Sequence, residues 1–483
     1  MLQGTGSHAG KTVLVAGLCR LLARRGLSVM PFKSQNMSLN AHVAVGGGEM
    51  GWAQVMQAEA AGVPPRVEMN PILLKPRAGG RSQIVLLGRA RREADARGYY
   101  RLTHTLWPAV RRSYARLARE ADCVVIEGAG SPAEPNLMRR DLANMKVARM
   151  ARALVLLVGD IDRGGVFASL VGTMALLPPT DRRRVRGFVI NKFRGDVRLL
   201  RPAIVDLERR TGVPVVGVVP FLPRLALPEE DSVGLESRGA APSDGLRVAV
   251  VRLDHIANFT DFAPLESEPG VRVVYAERPG ELAGAALVVL PGSKDTIADL
   301  RALKARGFVE ALVRHRRRGG RVLGVCGGYQ MLGRTVADPQ GVESGGRERG
   351  LGLLPVATTL ARRKITRRVR ARWRPDGPVF PAYEIHAGTS RRSGAPRPLF
   401  DVDGRAEGCA SPDGRVWGTY LHGLFESGAA RRRVLEWARR RGGSAPRDAR
   451  GDHRAQREEA YDRLADTLAA CLDRRLLREI GGA

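Results

Sequence analysis

Residues 4–12 read Gly-Thr-Gly-Ser-His-Ala-Gly-Lys-Thr. A glycine-rich loop closing on Gly-Lys-Thr can wrap backbone N–H groups around phosphates, with the lysine on the β/γ oxygens and the hydroxyl on Mg2+. The common spacing is G-x-x-x-x-G-K-[ST]. Here Gly10, Lys11 and Thr12 match, and the leading glycine, Gly4, stands one residue further back. Behind the loop, the amphipathic stretch 12–25 supplies the helix that such a loop needs. The nucleotide-binding set is therefore Gly4, Thr5, Gly6, Ser7, Gly10, Lys11 and Thr12. Only Met1, Leu2 and Gln3 precede it, where a strand of about five residues is expected, so a truncated or misassigned start is expected.

Outward from this loop, apolar runs alternate with amphipathic ones, the pattern of an α/β fold with a parallel sheet. Strands are predicted at 28–32, 123–127, 154–158, 187–191 and 215–219, with helices at 12–25 and 106–120. Val124-Val125-Ile126-Glu127-Gly128 ends a buried run on a carboxylate, where a second Mg2+ ligand beside Thr12 belongs. A plain strand followed by a glycine turn is the other reading. Glu49, in the glycine-rich stretch 46–51, is a third candidate metal ligand. Proline, glycine and an acidic run then interrupt the rhythm over 222–245, which reads as a linker.

A second α/β unit opens at Arg247 and runs through 286–290 to 321–325. There Gly324-Val325-Cys326-Gly327-Gly328 puts a cysteine between small residues after an apolar strand. A nucleophile on a sharp strand-to-helix turn needs such neighbours, because its backbone is strained and substrate approaches closely. His422, in Gly-Thr-Tyr-Leu-His-Gly, is the matching general base and acid. Residues 335–350 and 390–415 read as surface loops and 441–450 as a polar segment. A closing helix is predicted over 457–480 from Leu464, Leu468, Leu472 and Leu476. The organisation expected is thus 1–225, a linker 226–245, 246–440, and a polar segment with helix over 441–483.

Composition narrows the class. At 483 residues the chain exceeds one core, and no apolar run reaches the ~18–20 residues of a membrane span. Five cysteines without a C-x-x-C pair speak against a disulfide framework or zinc site. The phosphate loop leaves no room for a signal peptide, so a cytoplasmic protein is expected. The net charge of +30 carries three readings: a nucleic-acid binder, a compositional preference for arginine, or attraction of a polyanionic substrate. Without interleaved aromatics or a groove-binding motif, specific nucleic-acid binding is not expected.

The long phosphate loop resembles that of dethiobiotin synthetase-like ATPases, and that resemblance places Asn191 of Val-Ile-Asn-Lys against adenine. The thiol segment resembles class I glutamine amidotransferases. There the triad ends His-x-Glu, whereas here the residue two after His422 is Leu424, which marks the cobyrinate-amidating branch. Leu290-Pro291-Gly292-Ser293-Lys294-Asp295 is similar to that family's oxyanion loop, with the N–H groups of Gly292 and Gly327 facing the oxyanion. Taken whole, the chain resembles the cobyric acid synthases. The strings that carry this are Pro31–Asn40, Met69–Pro76, Gly159–Ala168, Asn258–Phe262, Tyr383–His386 and Gly418–Gly423.

The resemblance implies a phosphate-loop domain fused to a glutamine amidotransferase domain. It implies a carbon–nitrogen ligase that amidates the b, d, e and g propionates of adenosylcobyrinic acid a,c-diamide, using glutamine, ATP and Mg2+. No metal cluster or prosthetic group is expected, and neither is a membrane partner. Lys33, Gln35, Asn36, Lys75 and Asp160 are the implied substrate contacts. The alternatives are the sister synthase that amidates the a and c acetates and, in another class, a phosphate-loop ATPase that binds nucleic acid. The second has no use for Cys326 and His422.

Overall fold

A computed structural model of the chain describes residues 1–223, 225, 227, 245–394, 397–439 and 451–481. Two compact units emerge. Met1–Ser38, Ala44–Glu230 and Arg457–Ala483 form the first, and Leu39–Val43 with Asp231–Gln456 form the second. The linker expected over 226–245 lies outside the described residues except for 227 and 245, as does the polar segment 441–450.

In the first unit, Leu2–Gly4, Val155–Asp160, Val185–Phe193 and Val215–Pro220 make a parallel sheet in that order. A parallel pair, Val29–Phe32 with Cys123–Ile126, joins its edge through a bridge between Leu2 and Glu127. Leu2–Gly4 therefore sits inside the sheet, flanked by the strands that end at Glu127 and Asp160. This three-residue strand opens the phosphate loop and the helix Lys11–Arg24. Ligands bind at such carboxyl edges because the strand order reverses there and leaves a crevice.

Gln35–Met37, Ile72–Arg77, Arg81–Leu86 and Arg89–Asp95 form a second, mixed sheet. The helix predicted over 106–120 starts ten residues earlier. It runs Ala96–Glu120, with Asp95 accepting the N–H of Gly98 as a cap, and it continues through Pro108.

The closing helix is corrected to two, His453–Cys471 and Arg474–Gly481. The break falls where Asp473 Oδ1 accepts the N–H groups of Arg475 and Leu476, while Asp473's own N–H bonds to Val216 O. A side chain that satisfies the first amides of a new helix competes with continuation of the old one. Leu464, Leu468, Leu472 and Leu476 are all buried. A Cβ on Gly17 would stand 2.6 Å from both Leu464 Cγ and Leu468 Cδ1, so the helix Lys11–Arg24 needs a glycine there.

In the second unit a sheet runs Val271–Ala276, Leu246–Val251, Leu287–Leu290, Arg321–Val325, Val416–Thr419 and Cys409–Ala410, parallel except for the last strand. Arg321–Val325 pairs with Leu287–Leu290 on one side and Val416–Thr419 on the other. The residues that follow all three strands therefore converge at one carboxyl edge.

Two stretches predicted as loops contain strands. Thr335–Asp338 pairs with Gly346–Arg349, and within 390–415 lie Phe400–Val402, Arg405–Glu407 and Cys409–Ala410. Between them runs a long antiparallel ribbon, Val356–Trp373 with Val379–Arg392. Val369, Ala371 and Trp373 are buried while Arg368, Arg370 and Arg372 are exposed, a period of two that the arginine content had obscured. Among the described residues no helix is long and apolar enough to cross a membrane.

Candidate active sites

Cys326 caps the turn from Arg321–Val325 into the helix Gly327–Leu332, with φ 52° and ψ −108°. For a residue bearing a Cβ this region costs about 1–3 kcal/mol, held only by packing around it. That packing is explicit. A Cβ at Gly328 would stand 1.9 Å from Leu290 O, one at Gly324 2.7 Å from the Tyr329 nitrogen, and one at Gly327 2.8 Å from the Ser293 nitrogen. The small residues thus let the elbow press against the strand end at Leu290 and the following Gly292–Ser293. Cys326 is buried, and its Sγ lies 3.4 Å from Ile385 O.

His422 ends the neighbouring connection, on the short strand Leu421–His422 paired to Tyr383–Glu384. The Cys326 thiol lies close enough to act on its charge. The His422 Nδ1 lies 2.6 Å from Asp261 Oδ2, and Asp261 Oδ1 accepts the Gly423 N–H at 3.0 Å. Burial works against the imidazolium, but the charges of Asp261 and Cys326 more than offset it and push the His422 pKa up to about 10. Tyr383 stacks on the imidazole at 5.2 Å, and a Cβ at Gly292 would come within 3.5 Å of His422 Cε1. Cys326, His422, Gly292 and Gly327 are thereby brought together. Asp261 was not singled out from sequence, although it lies within Asn258–Phe262 and is 161 residues from His422. Its only signal there was a carboxylate in a string otherwise rich in apolar residues.

The other site lies in the first unit. Gly10 takes φ 89°, and Asn191 Nδ2 donates to Ala9 O at 2.9 Å, so this carboxamide braces the loop from beneath. Lys11 Nζ folds back over the loop to Gly6 O at 2.9 Å and Gly130 O at 3.2 Å. Thr5 N–H bonds to Val158 O, while Ser7 is exposed. Thr12 Oγ1 donates to Glu127 Oε1 at 2.8 Å, and Lys33 Nζ reaches the same oxygen at 2.8 Å. Gln57, unmarked in sequence, donates to Glu127 Oε2 at 2.5 Å. Asp160 holds Lys192 at 2.7 Å, and Lys192 in turn reaches His8 O of the loop.

Glu49 and Lys75 form a buried ion pair. Gln35 and Asn36 lie on the strand that pairs with Ile72–Arg77, the strand that carries Lys75. Gln35 accepts from the Tyr99 hydroxyl, and Asn36 donates to Gln54 at 3.0 Å. No cluster of three or more His, Cys, Asp or Glu side chains suited to a metal occurs among the described residues. A Mg2+ ion needs no such cluster, since it commonly takes one or two protein oxygens and completes its shell with phosphate and water.

Residues 1–233 match the CobQ/CobB/MinD/ParA nucleotide binding domain, and residues 247–430 match the CobB/CobQ-like glutamine amidotransferase domain. The chain is 53% identical to the cobyric acid synthase of Desulforudis audaxviator (strain MP104C), over 97% of this chain and 96% of that relative. The chain belongs to the cobyric acid synthase family. It is 50% identical to the cobyric acid synthase of Sorangium cellulosum (strain So ce56), over 100% of this chain and 98% of that protein. Against that of a Sinorhizobium species it is 52% identical over 99% and 98%. As a member of the cobyric acid synthase family it is an amidating ligase of cobalamin biosynthesis, an α/β protein with a nucleotide-binding domain ahead of a glutamine amidotransferase domain.

Proposed function

We propose that the chain converts adenosylcobyrinic acid a,c-diamide to adenosylcobyric acid by amidating its b, d, e and g propionates, with glutamine as nitrogen donor and ATP as activator, in the cytoplasm. The observation that carries this reading is the Cys326–His422–Asp261 arrangement in a chain that also holds the Lys11–Thr12–Glu127 phosphate site.

In the amidotransferase unit, Asp261 engages Nδ1 of His422 and leaves Nε2 for the thiol. His422 takes the Cys326 proton, and the thiolate attacks the carboxamide carbon of glutamine. The C–N bond breaks as the imidazolium gives its proton to the leaving nitrogen, releasing ammonia and a thioester. Water, deprotonated by His422, then hydrolyses the thioester to glutamate. The backbone N–H groups of Gly292 and Gly327 are the proposed donors to the oxyanion of both steps.

In the phosphate-loop unit a propionate oxygen attacks the γ-phosphorus of ATP, giving an acyl phosphate and ADP. Ammonia adds to the acyl carbon and phosphate leaves, which turns a poor electrophile into an amide. Residues 4–12 cradle the phosphates and Lys11 balances their charge, while Asn191, which braces the loop at Ala9 O, is the proposed adenine contact. Thr12 and Glu127 supply a hard oxygen pair that fits Mg2+, and a Mg2+ ion held there would neutralise phosphate charge. Lys33, which shares the Glu127 oxygen, is proposed to contact the acceptor corrinoid. Gln35, Asn36, Lys75 and Asp160 are the proposed corrinoid contacts.

The test is a mass-resolved time course with glutamine, ATP and Mg2+ on cobyrinic acid and on its a,c-diamide. Stepwise conversion of carboxylates to amides on the diamide, dependent on ATP, is expected. Turnover of cobyrinic acid alone would assign the sister activity, and no mass change on either acid would overturn the reading.

A further inference from the structure

The second unit contains five residues from far upstream. Leu39–Val43 belongs to it, although Ser38 and Ala44 on either side belong to the first. This short segment docks on the residues that hold the glutaminase histidine. The Ala41 N–H donates to Asn258 Oδ1 at 3.1 Å, and the Asn258 N–H points at Leu39 O at 3.4 Å. The His42 ring lies 4.1 Å from the Tyr383 ring, which also stacks on the imidazole of His422 at 5.2 Å.

Asn258 is the pivot of this contact. Its backbone is left-handed, at φ 54° and ψ 40°, a region that asparagine tolerates better than other residues with a Cβ. Its Nδ2 stands 3.4 Å from the Tyr383 hydroxyl and 3.4 Å from His422 Nδ1. With Nδ1–H given to Asp261, the Nδ2 contact with the imidazole is donor against donor, so only the Tyr383 contact is a bond. The Ala41 N–H therefore decides the amide orientation: it demands Oδ1 and leaves the NH2 end toward the imidazole. An amide turned the other way would offer Oδ1 to Nδ1–H and compete with Asp261 for the proton that fixes the ring.

We propose that Leu39–Val43 is a positioning element for the glutaminase, in which Ala41 sets the Asn258 carboxamide and His42 clamps Tyr383 against His422. The segment lies a few residues after Lys33, Gln35 and Asn36, which are proposed above as corrinoid contacts. The inference rests on the Cys326–His422 reading and adds to it the residues that hold the imidazole in register.

The experiment compares His42→Ala and His42→Phe with the parent. It measures kcat and KM for glutamine hydrolysis, and synthesis with ammonium salt. A misplaced imidazole predicts a kcat lower by roughly 10- to 100-fold in His42→Ala, with glutamine KM changed less than about twofold. Ammonia-dependent synthesis at the parental rate is expected as well. His42→Phe, which keeps a ring on Tyr383, should restore kcat. A second variant, Asn258→Gly, keeps the left-handed backbone without its carboxamide and should lower kcat as His42→Ala does. Parental kcat in His42→Ala, or His42→Phe impaired as much as His42→Ala, would overturn the proposal. Loss of ammonia-dependent synthesis in step with glutaminase would overturn it too, by marking a folding defect. Failure of the underlying reading is separate: hydrolysis by the parent would then survive Cys326→Ala.

Discussion

His422 Nδ1 and Asp261 Oδ2 lie 2.6 Å apart, both buried. Asp261 also accepts the N–H of Gly423, so one carboxylate fixes the imidazole and the backbone that follows it. The residue two places after His422, where the related triads carry glutamate, is Leu424. Here the orienting charge comes instead from the start of the domain, on the turn Phe259–Phe262.

Replacing Asp261 by asparagine should lower glutamine-dependent kcat by roughly 100-fold, the lower range for positioned acid–base groups. The pH profile gives the sharper reading. Asp261 raises the His422 pKa, so loss of its charge disfavours the imidazolium, and the alkaline limb should move to lower pH. An unmoved limb would separate Asp261 from the proton chemistry. Synthesis from ammonia should be unaffected.

Cys326→Ala should abolish glutamine-dependent amidation while leaving synthesis at high ammonia near the parental rate, because the thiol has no part in carboxylate activation. The check is glutamate release alongside corrinoid mass. Glutamine use at the parental rate would remove Cys326 as nucleophile.

Lys11→Ala should remove synthesis with either nitrogen source. The variant loses the charge at the phosphates together with the bonds that close the loop onto Gly6 and Gly130. ADP formation is the direct measurement, and unchanged ammonia-dependent turnover would contradict the phosphate-site assignment.

Two glycines in helices should respond oppositely in urea unfolding. Gly17→Val inserts carbon against Leu464 and Leu468, and overpacking of this kind costs about 1–3 kcal/mol. Gly172, inside the helix Val166–Leu176, has nothing within 4 Å of a Cβ position, so Gly172→Ala should stabilise by up to ~1 kcal/mol. The pair tests whether the C-terminal helix packs on Lys11–Arg24 as described.

Binding to duplex DNA should be weak at ~150 mM salt and fall steeply as salt rises, since scattered arginines suffice for counterion release without sequence readout. A titration at several salt concentrations measures this. Tight, sequence-selective binding at that ionic strength would reopen the reading of the +30 charge as a nucleic-acid surface.

The phosphate loop, the cysteine elbow and His422 were legible in the chain because each depends on neighbouring residues. Glycines that permit a left-handed turn, a lysine and hydroxyl beside them, and an apolar strand leading in are local requirements, and local requirements leave contiguous strings. The strands at 123–127 and 321–325 were legible for the same reason, as short apolar runs. The leucines at 464, 468, 472 and 476 marked an apolar face, but its partner helix and the break at Asp473 came from packing. Period-two burial in Val356–Trp373 was hidden beneath arginines whose charged ends reach solvent. Asp261 beside His422, Gln57 on Glu127 and His42 on Tyr383 were decided by tertiary structure alone. A carboxylate, a carboxamide or an imidazole carries no local sign of the group it will meet, since a contact over tens to hundreds of residues is set by which strands and turns converge.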